Sequence, residues 1–218
     1  MTDIDPPHEP KEVRDTYERI AGDFDRTRSS PWPAVQRFVE TATSVQNALD
    51  IGCGNGRHLE LLHTSASRTV GIDISRALLE VSARRQLSGV ELIEASASRL
   101  PFHDGFAQLV LYIATMHHLP STNTRVASLD ELARVLSDDG EGLISVWSVT
   151  HDRFDTDEAF DTLVDWTLPS GETVPRYYHI YDRPSFDREL SESDLEVIRS
   201  WEEAGNLYAH VRSDASQW

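Results

Sequence analysis

The sequence predicts an α/β fold, a mostly parallel sheet flanked by helices with an antiparallel hairpin at its C-terminal end. Three observations predict it. Short apolar runs of strand length alternate with helical patterns between residues 48 and 147, a glycine-rich loop follows the first run directly, and two late runs are separated by a short turn-forming stretch. Each element follows from its residues. Residues 1–10, rich in Asp, Glu and Pro, suggest a disordered tail, and organised structure is expected over 11–218 as one domain. After Pro31, the apolar residues Trp32, Val35, Phe38, Val39 and Ala42 recur at three- and four-residue spacing, and Pro33 suits a first helical turn. Strands are expected at Ala48 to Ile51, Thr69 to Ile72, Val90 to Ile93, Gln108 to Ile113 and Gly142 to Trp147. Helices are expected near Gly56 to His63, Ser75 to Gln86 and Thr122 to Leu136. Such alternation implies right-handed βαβ units, with ligands at the carboxyl ends of the strands. From 150 to 175 the chain is polar, acidic and weakly periodic, which suggests an insertion or lid. Leu195 to Trp201 and Leu207 to Arg212 then form the hairpin.

Composition sets the outer bounds. At 218 residues the chain suffices for one domain with a sizeable core. The longest mainly apolar stretch, Ala107 to Met116, is about half the length of a membrane-spanning helix, and the first residues lack a basic-then-apolar signal pattern. A cytoplasmic protein with no membrane partner is expected. A single cysteine, Cys53, excludes an intramolecular disulfide and a multi-cysteine zinc site. The 37 acidic residues against 20 basic ones give a net charge of −17, and Lys11 is the only lysine. Such a surface either avoids polyanions or suits a cell with molar internal salt. Lysine depletion with arginine retained favours the halophilic reading, and at about 1 M salt the Debye length is roughly 3 Å, so local arginine contacts decide binding.

The sharpest motif is Ala48-Leu49-Asp50-Ile51-Gly52-Cys53-Gly54-Asn55-Gly56, an apolar strand running into a glycine loop. Glycines let the backbone pass close under a ligand and turn sharply. A pyrophosphate loop would follow G-x-G-x-x-G; here the spacing is G-x-G-x-G, and Asp50 beside it suits an ammonium and repels phosphate. Asp73 ends the second strand, 23 residues after Asp50, where an acidic side chain can accept hydrogen bonds from ribose hydroxyls. Asp73 could instead cap the helix that follows.

On these residues, and on Leu100-Pro101-Phe102 and the stretch from Leu111 to Leu119, the chain resembles the class I S-adenosylmethionine-dependent methyltransferases over roughly residues 45 to 147. The resemblance implies a Rossmann-like, seven-stranded sheet and S-adenosyl-L-methionine as cofactor. It implies that Asp50, Gly52 and Gly54 cradle the methionine end with main-chain groups near Ile113, and that Asp73 holds the ribose. Ile74 would back the adenine, Ser96 and Ala97 would line its edge, and Tyr17 would also contact the cofactor. Ser96 departs from the family pattern, where an acidic residue usually meets the adenine amino group. Ala107 stands where Asp commonly follows Phe.

A narrower likeness spans both ends of the chain. Tyr17-Glu18-Arg19-Ile20-Ala21, Phe24, Thr27-Arg28 and Pro31-Trp32-Pro33 resemble the entry segment of the family that methylates 5-carboxymethyluridine at the wobble position of tRNA. The likeness continues in Gly52 to Leu59, in Ile113-Ala114-Thr115-Met116-His117-His118-Leu119, in Leu143 to Trp147 and in Arg176-Tyr177-Tyr178-His179, with Gly142 where that family more often has alanine. It implies two partners, the tRNA anticodon loop and a small zinc-binding methyltransferase-activator subunit. It also implies that Arg28 and Arg176 grip a carboxylate or phosphate, that Tyr177, Tyr178 and His179 offer stacking faces and donors, and that His117 or His118 orients the substrate. A carboxymethyl group is ionised near neutral pH, so methyl transfer to it needs aim more than a general base.

Plainer readings stand beside these. Arg28 could be a surface ion pair, Arg176 to His179 an ordinary half-buried strand, and one of the two histidines a packed structural residue. Trp32 and Trp147 suit the core, Arg84-Arg85 a solvated helix face, and Cys53 a small loop position. No metal is expected at His117-His118, since no nearby Cys or acidic triad supports one. Small-molecule methyltransferases acting on quinones, sterols or amines share the same core, and a catalytically silent cofactor-binding scaffold is the reading from another class.

Overall fold

The computed structural model describes residues 10–28, 30–42 and 44–214. The tail expected over 1–10 lies outside them except for Pro10, which opens the first helix. Along the chain run α1 (Pro10–Thr27), α2 (Pro33–Thr41), β1 (Val45–Ile51), α3 (Leu59–Ser65), β2 (Ala66–Asp73), α4 (Arg76–Ala83), β3 (Val90–Glu94), β4 (Ala107–Ile113), a 3₁₀ turn (Met116–His118), α5 (Thr122–Val135) and β5 (Leu136–Trp147). There follow β6 (Phe160–Thr167), β7 (Thr173–Ile180), α6 (Arg183–Ser191), β8 (Leu195–Glu203) and β9 (Asn206–Ser213).

Seven strands form one sheet in the order β3-β2-β1-β4-β5-β9-β8. The first five are mutually parallel, and β9 runs antiparallel to β5 and β8. β4 shows why both faces are covered. Leu109, Leu111 and Ile113 pack with Val35, Phe38 and Val39 of α2, while Val110 and Tyr112 pack with Leu129 and Leu132 of α5 and Phe186 of α6. A strand buried on both faces reads as a continuous apolar run, and the segment Leu109 to Ile113 does. The strand order reverses between β1 and β4, and at such a switch point the carboxyl ends of the strands leave a crevice.

A third apolar cluster roofs that crevice. Tyr17, Ile20 and Ala21 of α1 pack with Leu78 and Val81 of α4 and with Trp166 and Val174 of a separate β6–β7 hairpin. Trp166 Nε1 donates to Asp23 (3.1 Å), and Arg19 pairs with Glu172 at the hairpin tip. The stretch expected to be an irregular insertion therefore contains β6 and the first part of β7. Its two-residue period is visible in retrospect: Val164 and Trp166 are buried, and Asp161, Leu163 and Asp165 face out. The acidic outward residues masked that pattern. Helix α6 was also not expected; Asp182 caps it by accepting from the Ser185 N–H at 2.7 Å. Arg125, ion-paired with the fully buried Glu189, donates to the Leu119 carbonyl (3.2 Å) and so pins the chain just after the Met116–His118 turn.

Candidate active site

The β1 loop is longer than the sequence suggested, with α3 starting at Leu59 because the intervening glycines adopt left-handed backbone. At Gly52 φ is +71°, and an added Cβ would lie 2.2 Å from Thr115 Oγ1. At Gly56 φ is +74°, with Ser82 Oγ at 2.2 Å from the same position. Neither site admits a side chain. The loop is braced by Asn55, whose Nδ2 donates to Asp25 (2.7 Å) and to the Arg28 carbonyl (2.9 Å), and by Arg85, which donates to the Asn55 carbonyl (2.6 Å). Arg85 thus supports the loop, whereas Arg84 is exposed. At the end of β4, Ala114 also has positive φ (+50°), a costly conformation for a residue with a Cβ and one that recurs at functional sites.

These loops open into a cavity of about 540 Å3 between the sheet rim, α1 and the β6–β7 hairpin. Of the residues picked from sequence, Gly52, Gly54, Asp73, Ile74, Ser96, Ala97 and Ile113 line one end, and Tyr17, Arg28, His117 and Arg176 also line it. Asp73 accepts from the Gly54 N–H with one oxygen and from the Ser75 N–H with the other, both at 2.8 Å; Ser75 Oγ, not Asp73, caps α4. Burial raises its pKa to about 6 against those bonds. Asp50 lies beneath the loop, 1% exposed, outside the cavity lining, and its Oδ2 has no partner. Burial raises its pKa to about 7, opposed by the Arg57 charge.

Positive charge also gathers around the cavity. Arg28, Arg57 and Arg176 line the cavity, and none forms an ion pair with a carboxylate among the described residues; every other described arginine without such a partner is exposed. Arg176, 5% exposed, donates to Tyr178 Oη (2.6 Å) and lies 4.9 Å from the Trp166 ring centroid and 5.2 Å from that of Tyr178, with Nε unpartnered. Arg57 stacks over Trp32 at 4.8 Å, and burial and the charge of Arg28 lower its pKa to about 10. In a chain of net charge −17, three such arginines concentrate positive charge around one cavity.

The Methyltransferase domain family matches residues 49–144 of this chain. The chain is 35% identical over 172 residues to a tRNA (carboxymethyluridine(34)-5-O)-methyltransferase of Arabidopsis thaliana, covering 79% of this chain and 40% of that protein. It is 30% identical over 200 residues to an Encephalitozoon cuniculi protein named "Putative methyltransferase", covering 88% of this chain and 91% of that one. The structure known as the DhpI-SAM-HEP complex superposes with a TM-score of 0.77 at 18% identity, covering 95% of this chain and all (100%) of that one. The chain belongs to the class I S-adenosylmethionine-dependent methyltransferases. It spans 40% or less of the first tRNA methyltransferases it matches.

The residues present fit S-adenosyl-L-methionine. An ionised carboxylate offers about four acceptor positions, so Asp73 retains two for ribose hydroxyls after its two backbone bonds. Asp50, buried outside the cavity lining, would favour an ammonium in the cavity through its charge and not by direct contact. Gly54, where an added Cβ would meet only Phe24 at 3.6 Å, leaves the loop backbone open to a ligand, and Ile74 supplies an apolar wall.

At the substrate end of the methyltransferase cavity two expectations need correction. Tyr177 and His179 do not line it. Strand β7 alternates sides, so Arg176 and Tyr178 share the cavity face and Tyr177 and His179 take the other; His179 Nδ1 meets Asp161 at 2.7 Å. Tyr177 contributes its carbonyl instead, accepting from His118 Nδ1 (2.9 Å), while His118 Nε2 accepts from the Tyr17 hydroxyl (2.7 Å). His118 is therefore the structural histidine, its pKa lowered by burial to about 3. His117 Nδ1 accepts from the Trp147 N–H (3.0 Å), and burial holds its pKa well below the usual range, so the neutral ring carries its proton on Nε2. Sequence reasoning missed Arg57, His58, Trp147, His151 and Asn206 as cavity residues. Trp147, expected in the core, stacks between Tyr178 (4.7 Å, 18°) and His151 (4.9 Å, 30°).

Proposed function

We propose that this methyltransferase esterifies the carboxylate of 5-carboxymethyluridine at the wobble position of tRNA. The observation that carries the reading is Arg176, a nearly buried guanidinium at the cavity wall with no carboxylate partner among the described residues. Leaving a charge so placed without an anion is expensive unless a ligand supplies one. The names of the relatives support the choice of substrate.

Bound S-adenosyl-L-methionine supplies an electrophilic methyl group. The chain's own residues supply aim. Arg176 presents its planar fork to the substrate carboxylate, with Tyr178 fixing one nitrogen, and Arg28 adds a second cation. His117, neutral and bonded at Nδ1, offers only an N–H donor, which orients the base and cannot remove a proton. No proton needs removing, because the substrate carboxylate is already ionised. The Tyr178-Trp147-His151 stack forms an aromatic wall for an extruded uracil. Helix α1 and the β6–β7 hairpin act as a cover that excludes water, with residues 11–218 working as one domain.

The tRNA is met at its anticodon loop in the cytoplasm, beside a small zinc-binding activator subunit that covers a sheet edge; the likeness of both chain ends to the wobble-uridine family supports this. The lysine-poor, acidic composition supports a halophilic setting, checked by a melting temperature that rises between 0.2 and 2 M KCl, about the range over which screening becomes complete. Methyl transfer assayed on total RNA beside quinones and amines tests the central reading. Label in tRNA nucleosides, released by mild base as expected for an ester, agrees with it. Label confined to small molecules contradicts it.

A further inference from the structure

Asn206 opens β9 and is 8% exposed. Its Nδ2 donates to the Ala204 carbonyl at 2.9 Å, which fixes the amide: the reverse orientation would set Oδ1 against another carbonyl oxygen. Oδ1 is thus held as an acceptor, it is buried without a partner, and Asn206 lines the cavity. Its place in the sheet assigns it to the substrate side. The cofactor loops follow β1, β2 and β4, whereas β9 lies two strands beyond β4. Asn206 pairs in register with Trp147, whose N–H is taken by His117 on the other side. Next to it, Gly205 permits His151 to close on the stack, since an added Cβ would stand 2.8 Å from His151 Cα. An oriented acceptor and the His117 donor therefore flank one aromatic wall.

We propose that Asn206 Oδ1 accepts the ring N3–H of the substrate uracil, with His117 Nε2–H donating to a neighbouring ring carbonyl, so that this pair selects uracil over cytosine. The inference rests on the tRNA reading above and names how that site reads its base. Uracil presents N3–H between two carbonyl oxygens. Cytosine presents a bare N3 lone pair that would oppose Oδ1 and leave it unsatisfied, which is the discrimination a buried polar group enforces best.

The test uses synthetic anticodon stem-loop RNAs carrying 5-carboxymethyluridine, its 3-methyl derivative or 5-carboxymethylcytidine, in single-turnover methyl transfer. The native enzyme should slow about tenfold or more on both altered bases, an effect on the scale of one buried hydrogen bond. In Asn206→Ala the parent substrate should slow by a similar factor and the preference for uracil should shrink to within about twofold, with cofactor affinity unchanged. Equal native rates on the three bases overturn the inference, and so does a preference that persists in Asn206→Ala. The native comparison needs no variant, so a folding defect leaves it intact. If the native enzyme transfers no methyl to the 5-carboxymethyluridine loop, the tRNA reading itself falls and takes this inference with it.

Discussion

Replacing Arg176 by Met should separate activity from stability. Methionine keeps the unbranched, flexible stem of the side chain and removes a guanidinium that is 5% exposed and unpaired with any carboxylate among the described residues. On the stability side the terms oppose one another. The variant loses the bond to Tyr178 Oη (2.6 Å), about 1.5–3 kcal/mol for a charged donor, and the ring contacts at 4.9 and 5.2 Å, about 1–2 kcal/mol each. It also sheds the cost of burying a lone charge, several kcal/mol. The sum is near zero, so the melting temperature should move by no more than about 4 °C. Activity has no such offset. Loss of the fork that meets the substrate carboxylate should cost about 3 kcal/mol in kcat/KM, on the order of 100-fold, with cofactor affinity within about threefold of native. Thermal melts, calorimetric titration with S-adenosyl-L-methionine and steady-state methylation of tRNA read the three quantities on one preparation. A fall in melting temperature beyond about 8 °C with kcat/KM preserved would show that Arg176 is a structural residue, and the account of the site would fail.

Cofactor affinity should rise with pH between about 5.5 and 7.5, because Asp50 (about 7) must ionise to attract an ammonium through the loop and Asp73 (about 6) to accept from ribose hydroxyls; Asp50→Asn should weaken binding and flatten the profile, read by calorimetry. The same raised values carry the opposite sign for the ligand-free fold: protonated carboxylates are favoured in the folded state, so this contribution to stability is lost as pH climbs from about 4 to 7, and melts should show it. Asp73→Ala should reduce cofactor affinity by about 1.5–3 kcal/mol, and an unchanged titration would remove it from the ribose site. Single-turnover transfer at saturating cofactor should be nearly flat from pH 6 to 8, since the nucleophile is already ionised; a tenfold rise per unit that disappears in His117→Ala would instead reveal a general base.

Much of the cofactor end was legible because local sequence encodes local geometry there. Gly52 and Gly56 are required by positive φ and by Thr115 and Ser82 packed against them, and Asp73 ends an apolar strand. The substrate end was less legible because it is assembled from distant segments. Asn206 and Trp147 meet only through β5–β9 pairing, and Arg57 comes to Trp32 across the glycine loop. On β7 the motif was found but its phase was not. Two-residue alternation from Arg176 selects Tyr178 and turns Tyr177 and His179 away, and only pairing with β6 fixes which set faces the cavity. The β6 strand is hard to read from sequence because two of its outward positions, Asp161 and Asp165, are acidic in a chain already rich in acid.

The most direct test of the central claim is mass spectrometry of wobble nucleosides in tRNA from a strain lacking this gene. The account predicts that the methyl ester of 5-carboxymethyluridine disappears, that the free acid or a product derived from it accumulates, and that the native gene restores the ester while an Arg176→Met copy does not. Unchanged levels of the ester in the deletion strain would contradict it.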